Sequence, residues 1–84
     1  MDTKEETRET IQGRLKVLNK SIVSERNSVQ YYQTLLENTP EDKPESIGER
    51  RMYQDLLREE ENHVRVIQNM IHHWESQLKN LAEE

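Results

Sequence analysis

The segment Asn38-Thr39-Pro40-Glu41-Asp42-Lys43-Pro44 interrupts an otherwise continuous helical pattern. Its two prolines and several turn-forming residues predict a loop, because proline lacks the N–H that a helix interior needs and disfavours helix at the preceding residue. The stretches on either side are long and regularly patterned. A short connection between two long helices predicts an antiparallel hairpin.

Both flanking stretches carry apolar side chains in unbroken steps of three and four residues, which is the heptad pattern of packed helices. Each of these two seams contains one charged residue, a glutamate. After a polar lead-in of residues 1–10, we predict a helical hairpin over 11–84, with helix 1 at about 8–38, a loop at 39–45 and helix 2 at about 46–81. The seam positions are Ile11, Leu15, Leu18, Ile22, Glu25, Val29, Tyr32 and Leu36 in helix 1, and Tyr53, Leu57, Glu60, Val64, Ile67, Ile71, Trp74, Leu78 and Leu81 in helix 2.

The two seam glutamates lie at matching distances from the turn. Glu25 is 13 residues before Asn38, and Glu60 is 14 residues after Ser46. At the helical rise of 1.5 Å per residue, each glutamate lies roughly 20 Å from the turn. We therefore expect the two carboxylates to face each other at one level of the hairpin.

Two facing carboxylates in an apolar seam need compensation, because they repel and because burying a charge is costly. Protonation of one carboxyl is one solution, and a divalent cation is another; neither seam contains Lys or Arg. His63 favours the cation, since it follows Glu60 by three residues on the same helix face and neutral imidazole is a good metal ligand. The set Glu25, Glu60 and His63 suits Fe(II), Mn(II) or Zn(II).

The composition predicts that one chain does not complete the core. Hydrophobic residues make up 31% of the 84-residue chain and charged residues 35%, so a monomer buries little apolar surface. We expect an all-α fold in which two antiparallel hairpins dimerise into a four-helix bundle. The paired site would hold four carboxylates and two imidazoles, and two divalent ions would neutralise its charge.

At Glu25, Tyr32 and the Glu60-x-x-His63 motif, the chain resembles the ferritin-like superfamily over roughly residues 15–75. It is most similar to encapsulated ferritin, a two-helix half-ferritin, and to half of a rubrerythrin bundle. The resemblance implies that Glu25, Glu60 and His63 bind iron, two ions per dimer, with Tyr32 as a catalytic neighbour. From the residues alone, Tyr32 also fits a core aromatic. The resemblance further implies a ring of dimers such as a decamer, and an encapsulin shell as a partner.

These expectations converge on a ferroxidase that oxidises Fe(II) to Fe(III) at a di-iron carboxylate centre between two subunits, in iron storage or detoxification. Two other functions fit the same sequence. One is a non-catalytic dimeric coiled-coil hairpin that acts as an interaction module, in which polar seam residues set the register. The other is a rubrerythrin-like peroxidase.

Several classes of function are excluded or disfavoured by composition. The chain has no cysteine, so thiolate metal sites and thiol nucleophiles are excluded. Its net charge is −5 and no basic patch stands out, which disfavours nucleic acid as a partner. It has no apolar run of membrane-spanning length and no signal-peptide core. We therefore expect a cytoplasmic protein, and the resemblance to encapsulated ferritin implies that it could lie inside an encapsulin nanocompartment.

Overall fold

The computed structural model describes residues 5–82, and these form two helices, α1 (Arg8–Asn38) and α2 (Pro44–Ala82). The helices pack against each other as a hairpin, and residues 5–82 contain no strand. The all-helical hairpin predicted from the two seams is thereby confirmed. Within the same residues, neither helix has a stretch apolar and long enough to cross a membrane.

The loop is shorter than predicted, because α2 begins at Pro44 rather than near residue 46. Proline suits the first helical position, since its fixed φ is helical and its missing N–H would have no partner there. The N–H of Ile47 donates to the carbonyl of Lys43 at 2.9 Å, which closes the first turn. The loop therefore spans residues 39–43.

The start of α1 is held by a reciprocal cap. The Thr7 hydroxyl accepts from the N–H of Thr10 at 3.1 Å, and the Thr10 hydroxyl accepts from the N–H of Thr7 at 2.8 Å. This arrangement satisfies donors that the first helical turn leaves unpaired. Of the predicted polar lead-in, residues 1–4 lie outside the described part of the chain.

Two arginines make side-chain contacts between the helices, one at each end of the hairpin. At the loop, Arg50 donates to the carbonyls of Leu36 and Thr39, the latter at 2.9 Å, and pairs with Glu41 at 3.1 Å. α1 has no basic residue in its own last turn, so Arg50 of α2 supplies the positive charge that favours a helix C-terminus.

At the opposite end, Arg14 of α1 contacts both the residues before α1 and the last part of α2. Its guanidinium makes a two-point contact with the Glu6 carboxylate, at 2.7 and 3.1 Å. The same group lies 4.3 Å from the centre of the Trp74 ring, within the range of a cation–π contact. Arg14 therefore connects the start of α1 to the last part of α2 at the end remote from the loop.

The hairpin is a single layer with an incomplete core. Among the described residues, only Ile11 and Ile22 are buried, and the other seam positions remain partly exposed. The molecule measures 62 × 25 × 14 Å, and its radius of gyration of 18.8 Å exceeds the roughly 12 Å expected of a compact domain of this length. Its surface of 6473 Å² is likewise well above the roughly 5,300 Å² expected for 10.1 kDa.

Apolar side chains are exposed mainly on one side of this layer. Val17, Tyr31, Met52, Val66 and Met70 are between 42% and 63% exposed. Val17 and Tyr31 are fourteen residues apart on α1, and Met52 and Val66 are fourteen apart on α2, so each pair points the same way on its helix. Met70 follows Val66 by one turn and lines a groove together with Val17, so the exposed residues of the two helices share one face. We call these five residues the apolar face. The face is the natural position for a further layer of helix.

Candidate metal centre

The hairpin brings Glu25, Glu60 and His63 together. One ligand atom from each lies within 4.8 Å of the others. The Nδ1 atom of His63 is 3.6 Å from Oε2 of Glu25 and 3.7 Å from Oε2 of Glu60. Glu25 comes from the middle of α1, whereas Glu60 and His63 lie one turn apart on α2, so packing of the two helices builds the group. In residues 5–82 this is the one cluster of three such side chains with ligand geometry.

The spacing of the three side chains suits a divalent ion. Bonds of about 2.1 Å place two ligands of one ion between about 3.0 and 4.2 Å apart, depending on the angle between them. Both distances from the imidazole nitrogen fall within that interval. The donor set of two carboxylates and one imidazole matches the borderline divalent metals. Three donors leave such an ion short of its usual four to six ligands.

One carboxylate oxygen of Glu60 is buried without a hydrogen-bond partner. Oε2 of Glu60 is buried and accepts no hydrogen bond, and within residues 5–82 no other buried side-chain nitrogen or oxygen is in this condition. Buried carboxylate oxygens normally have a hydrogen bond or a cation. The same atom faces the imidazole nitrogen at 3.7 Å, which is too long for a hydrogen bond. A bound cation would supply the missing interaction.

The two carboxyl groups are electrostatically coupled. The pKa of Glu60 is raised, first by a hydrogen bond that its protonated form shares with Glu25, then by burial, and then by the charge of Glu25. Its neighbour His63 opposes this rise in pKa. Without a metal, the Glu60 carboxyl therefore holds its proton more tightly than an ordinary glutamate does. A metal ion would compete with that proton, because carboxylate ligands must be ionised to bind.

The raised pKa of Glu60 predicts how stability depends on pH without metal. A carboxyl group whose pKa is raised by folding stabilises the folded protein when the pH is below its ordinary pKa, which is 4.5 for Glu60. This stabilisation is lost as the pH rises through the raised pKa. We expect the melting temperature of the metal-free protein to fall, relative to that of Glu60→Gln, as pH rises from the ordinary value of 4.5 through the raised pKa of Glu60. Thermal melts of both proteins across this range measure the difference. A difference that stays constant with pH contradicts the prediction.

The group opens towards the apolar face. The His63 side chain is 49% exposed, and Met70 follows it by seven residues on the same side of α2. Glu25 and Glu60 lie deeper, with side chains 29% and 22% exposed. The imidazole therefore lies at the surface on the side of the apolar face, while the carboxylates lie deeper.

Tyr32, the fourth residue predicted for the site, does not join this group. It lies two helical turns, roughly 10 Å along the axis, from Glu25. Its ring contacts that of Tyr31 edge-on, with the ring centres 5.3 Å apart. Within one chain Tyr32 is thus a partly buried aromatic residue between the site and the loop.

Two charged residues near the site were not singled out from the sequence. Arg26 and Glu61 directly follow Glu25 and Glu60, and they line one groove on the other side of the helix pair. Their adjacency to the two seam glutamates was the available signal. Only the packing of the helices shows that they belong to one groove.

The chain matches no protein-family model, no curated protein and no solved structure.

Proposed function

We propose that two copies of the chain pair through their apolar faces into a four-helix bundle, and that the paired Glu25, Glu60 and His63 side chains bind and oxidise two Fe(II) ions. The observation that carries this proposal is the convergence of the three side chains, with one buried Glu60 oxygen lacking a partner. The ferroxidase activity would belong to the dimer, because each chain contributes only half of the ligands.

The shape of the hairpin supports pairing. Its surface exceeds that of a compact protein of equal mass by about 1,200 Å². A stable protein interface buries about 800 Å² on each partner, so the excess is of the size that one interface would remove. Burial of the five exposed apolar side chains would supply the hydrophobic free energy that the thin core lacks.

Pairing also completes the ligand set. Each His63 lies at the surface that the second copy would cover, so both triads would come together in the bundle interior. Four carboxylates carry a charge of −4 and two Fe(II) ions carry +4, which leaves the buried site neutral. Neutrality matters because a net charge in a low-dielectric interior is strongly unfavourable.

The chemistry of oxidation fits carboxylate ligands. Each Fe(II) loses one electron, and the two electrons reduce one dioxygen molecule, which takes up two protons to form hydrogen peroxide. Anionic carboxylates bind the more highly charged product ion more strongly, which favours its formation. The resemblance to the ferritin-like superfamily is the reason for choosing iron over manganese or zinc. A ring of dimers and an encapsulin shell belong to the same proposal.

Native mass spectrometry of the protein titrated with Fe(II) without oxygen tests the proposal. The expected species is a dimer, or a multiple of it, that carries two iron ions per pair of chains, because one pair holds one complete ligand set. The variant Glu25→Gln keeps the shape of the side chain but removes a ligand charge, and it should bind less iron. A dimer that never takes up metal would instead favour the non-catalytic coiled-coil hairpin.

A further inference from the structure

A row of basic side chains runs along α2, away from the apolar face. Its members occur at every seventh position, so they recur on one side of the helix at intervals of about 10.5 Å. All of them are exposed, and no acidic or apolar residue interrupts the row. The row consists of Arg51, Arg58, Arg65, His72 and Lys79. We call it the basic row.

The basic row stays accessible in the proposed dimer. Arg65 directly precedes Val66 of the apolar face, and consecutive helical residues point about 100° apart. Arg58 and Arg65 line a depression of about 420 Å³ on α2, which shares no residue with the groove at Met70. A second copy that covers the apolar face would therefore leave the basic row exposed to solvent.

The chain itself leaves most of this positive charge unpaired. In the described part of the chain, the one ion pair of the basic row joins Arg58 to Asp55 at 3.4 Å, and both side chains are well exposed. Arg65 donates one hydrogen bond to the side-chain oxygen of Asn62. Glu61 lies one turn from both arginines, yet among these residues it forms no ion pair with either. A guanidinium has five N–H donors, so each arginine keeps donors for a partner.

The spacing and the path of the basic row favour a helix as its partner. Residues seven apart drift by about 20° on a straight α-helix, so the row turns by about 80° over its length of roughly 42 Å. A flat lipid surface would meet only part of such a row. A second helix that coils around α2 follows the same drift, and acidic side chains at every seventh position of that helix repeat at the same interval.

Nucleic acid fits the basic row less well than an acidic helix does. Phosphates repeat about every 3.4 Å along each strand of a duplex, which is far closer than the spacing of the basic side chains. The net charge of the chain is −5, so the protein as a whole repels a long polyanion. A partner with a few well-spaced carboxylates avoids most of this repulsion.

We propose that the basic row is the docking site for an acidic helix of a partner protein, one that carries Asp or Glu at every seventh position. Each carboxylate would face one basic side chain, and an arginine can bind it through two N–H groups. Short polar residues flank the row at Asn62, Asn69 and Ser76, so the partner helix can approach closely. Because the contact is polar and exposed, it is weak and sensitive to salt.

The test uses a synthetic helical peptide that carries five glutamates, each seven residues from the next. A control peptide of the same composition distributes its glutamates around the helix. Chemical shifts of the backbone amides and arginine Nε–H groups of the ¹⁵N-labelled full chain, without iron, locate the contact and give the dissociation constant. We expect the heptad peptide to bind about tenfold more tightly than the control peptide at low ionic strength, with the shifts concentrated at the basic row. High salt should abolish this difference.

Two matched double variants assign the contact to the row. Arg58→Gln, Arg65→Gln removes two adjacent charges of the row and should weaken binding of the heptad peptide about tenfold. Arg8→Gln, Lys20→Gln changes the net charge equally from exposed positions on α1, and it should change the affinity by less than about twofold. Both variants keep the proposed metal ligands and the apolar face, so iron binding should be the same in both.

The other outcomes contradict the proposal. If the two peptides bind equally well, the row attracts anions without regard to their spacing. Tighter binding of phosphatidylserine vesicles, or of a single- or double-stranded oligonucleotide, at equal ionic strength would assign the row to a membrane or to a nucleic acid. If no probe binds, the row is a solvated helix face. None of these results bears on the ferroxidase proposal, because the basic row contains none of its residues.

Discussion

Replacing Glu60 and His63 together by alanine is expected to reduce Fe(II)-dependent oxygen consumption to the rate of iron in buffer. The double variant removes two of the three proposed ligands in each chain, and hence four of six in the proposed dimer. We expect a loss of at least about 100-fold, because partners that only orient metal ligands already contribute about 10- to 100-fold in affinity. An oxygen electrode and peroxide detection measure the reaction.

The chain contains a control with the same residue types at the same spacing. His72 and Glu75 are three residues apart on α2, outside its seam, and both are exposed. The variant His72→Ala, Glu75→Ala should keep the activity of the unmodified protein. Full activity in the Glu60→Ala, His63→Ala variant would show that the seam pair is not the oxidation site.

An isosteric variant shows whether activity is lost because a metal ligand is removed or because the protein no longer folds. Glu60→Gln removes the carboxylate charge that repels Glu25 and leaves the side-chain volume nearly unchanged. It should therefore fold and pair like the unmodified protein, and its helical circular dichroism should persist to a higher temperature at neutral pH without metal. Loss of iron oxidation in this folded variant assigns the effect to the site itself.

The second large effect is expected from a charge placed on the apolar face. Val66→Glu should separate the dimer, because pairing would bury one unpaired carboxylate from each copy. Burial of each unpaired carboxylate costs about 3 kcal/mol, so the dissociation constant of the dimer should rise about 10⁴-fold. Sedimentation velocity across a range of concentrations measures the change. Iron binding should be lost together with the dimer, since a single chain holds only three of the proposed ligands.

Val23→Glu is the matched control for this experiment. Val23 is 57% exposed and Val66 is 42% exposed, so both are surface valines on a helix. Val23 lies six residues from Val17 and eight from Tyr31, spacings that place it away from the apolar face. Its variant should remain dimeric. If Val23→Glu separates the chains and Val66→Glu does not, the interface lies on the other side of the hairpin.

The sequence determined the helices and the level of the site. The seams predict two helices because apolar residues recur every three or four positions, and the loop follows from Pro40 and Pro44. The similar distances of Glu25 and Glu60 from the turn predict their meeting, since the helical rise is constant. His63 follows from its spacing to Glu60. Each of these features follows from local residue spacing or from the number of residues between a glutamate and the turn.

Tertiary structure decided what depends on how the helices lie against each other. Periodicity alone does not show that Val17 and Met70 share a groove or that Arg26 and Glu61 line the opposite one. Nor does it show that one Glu60 oxygen is buried without a partner while His63 is half-exposed. Rotation of each helix about its axis sets these relations, and that rotation is fixed only when the two seams pack together. The sequence therefore identified the candidate ligands, whereas packing decided which side of the hairpin they face.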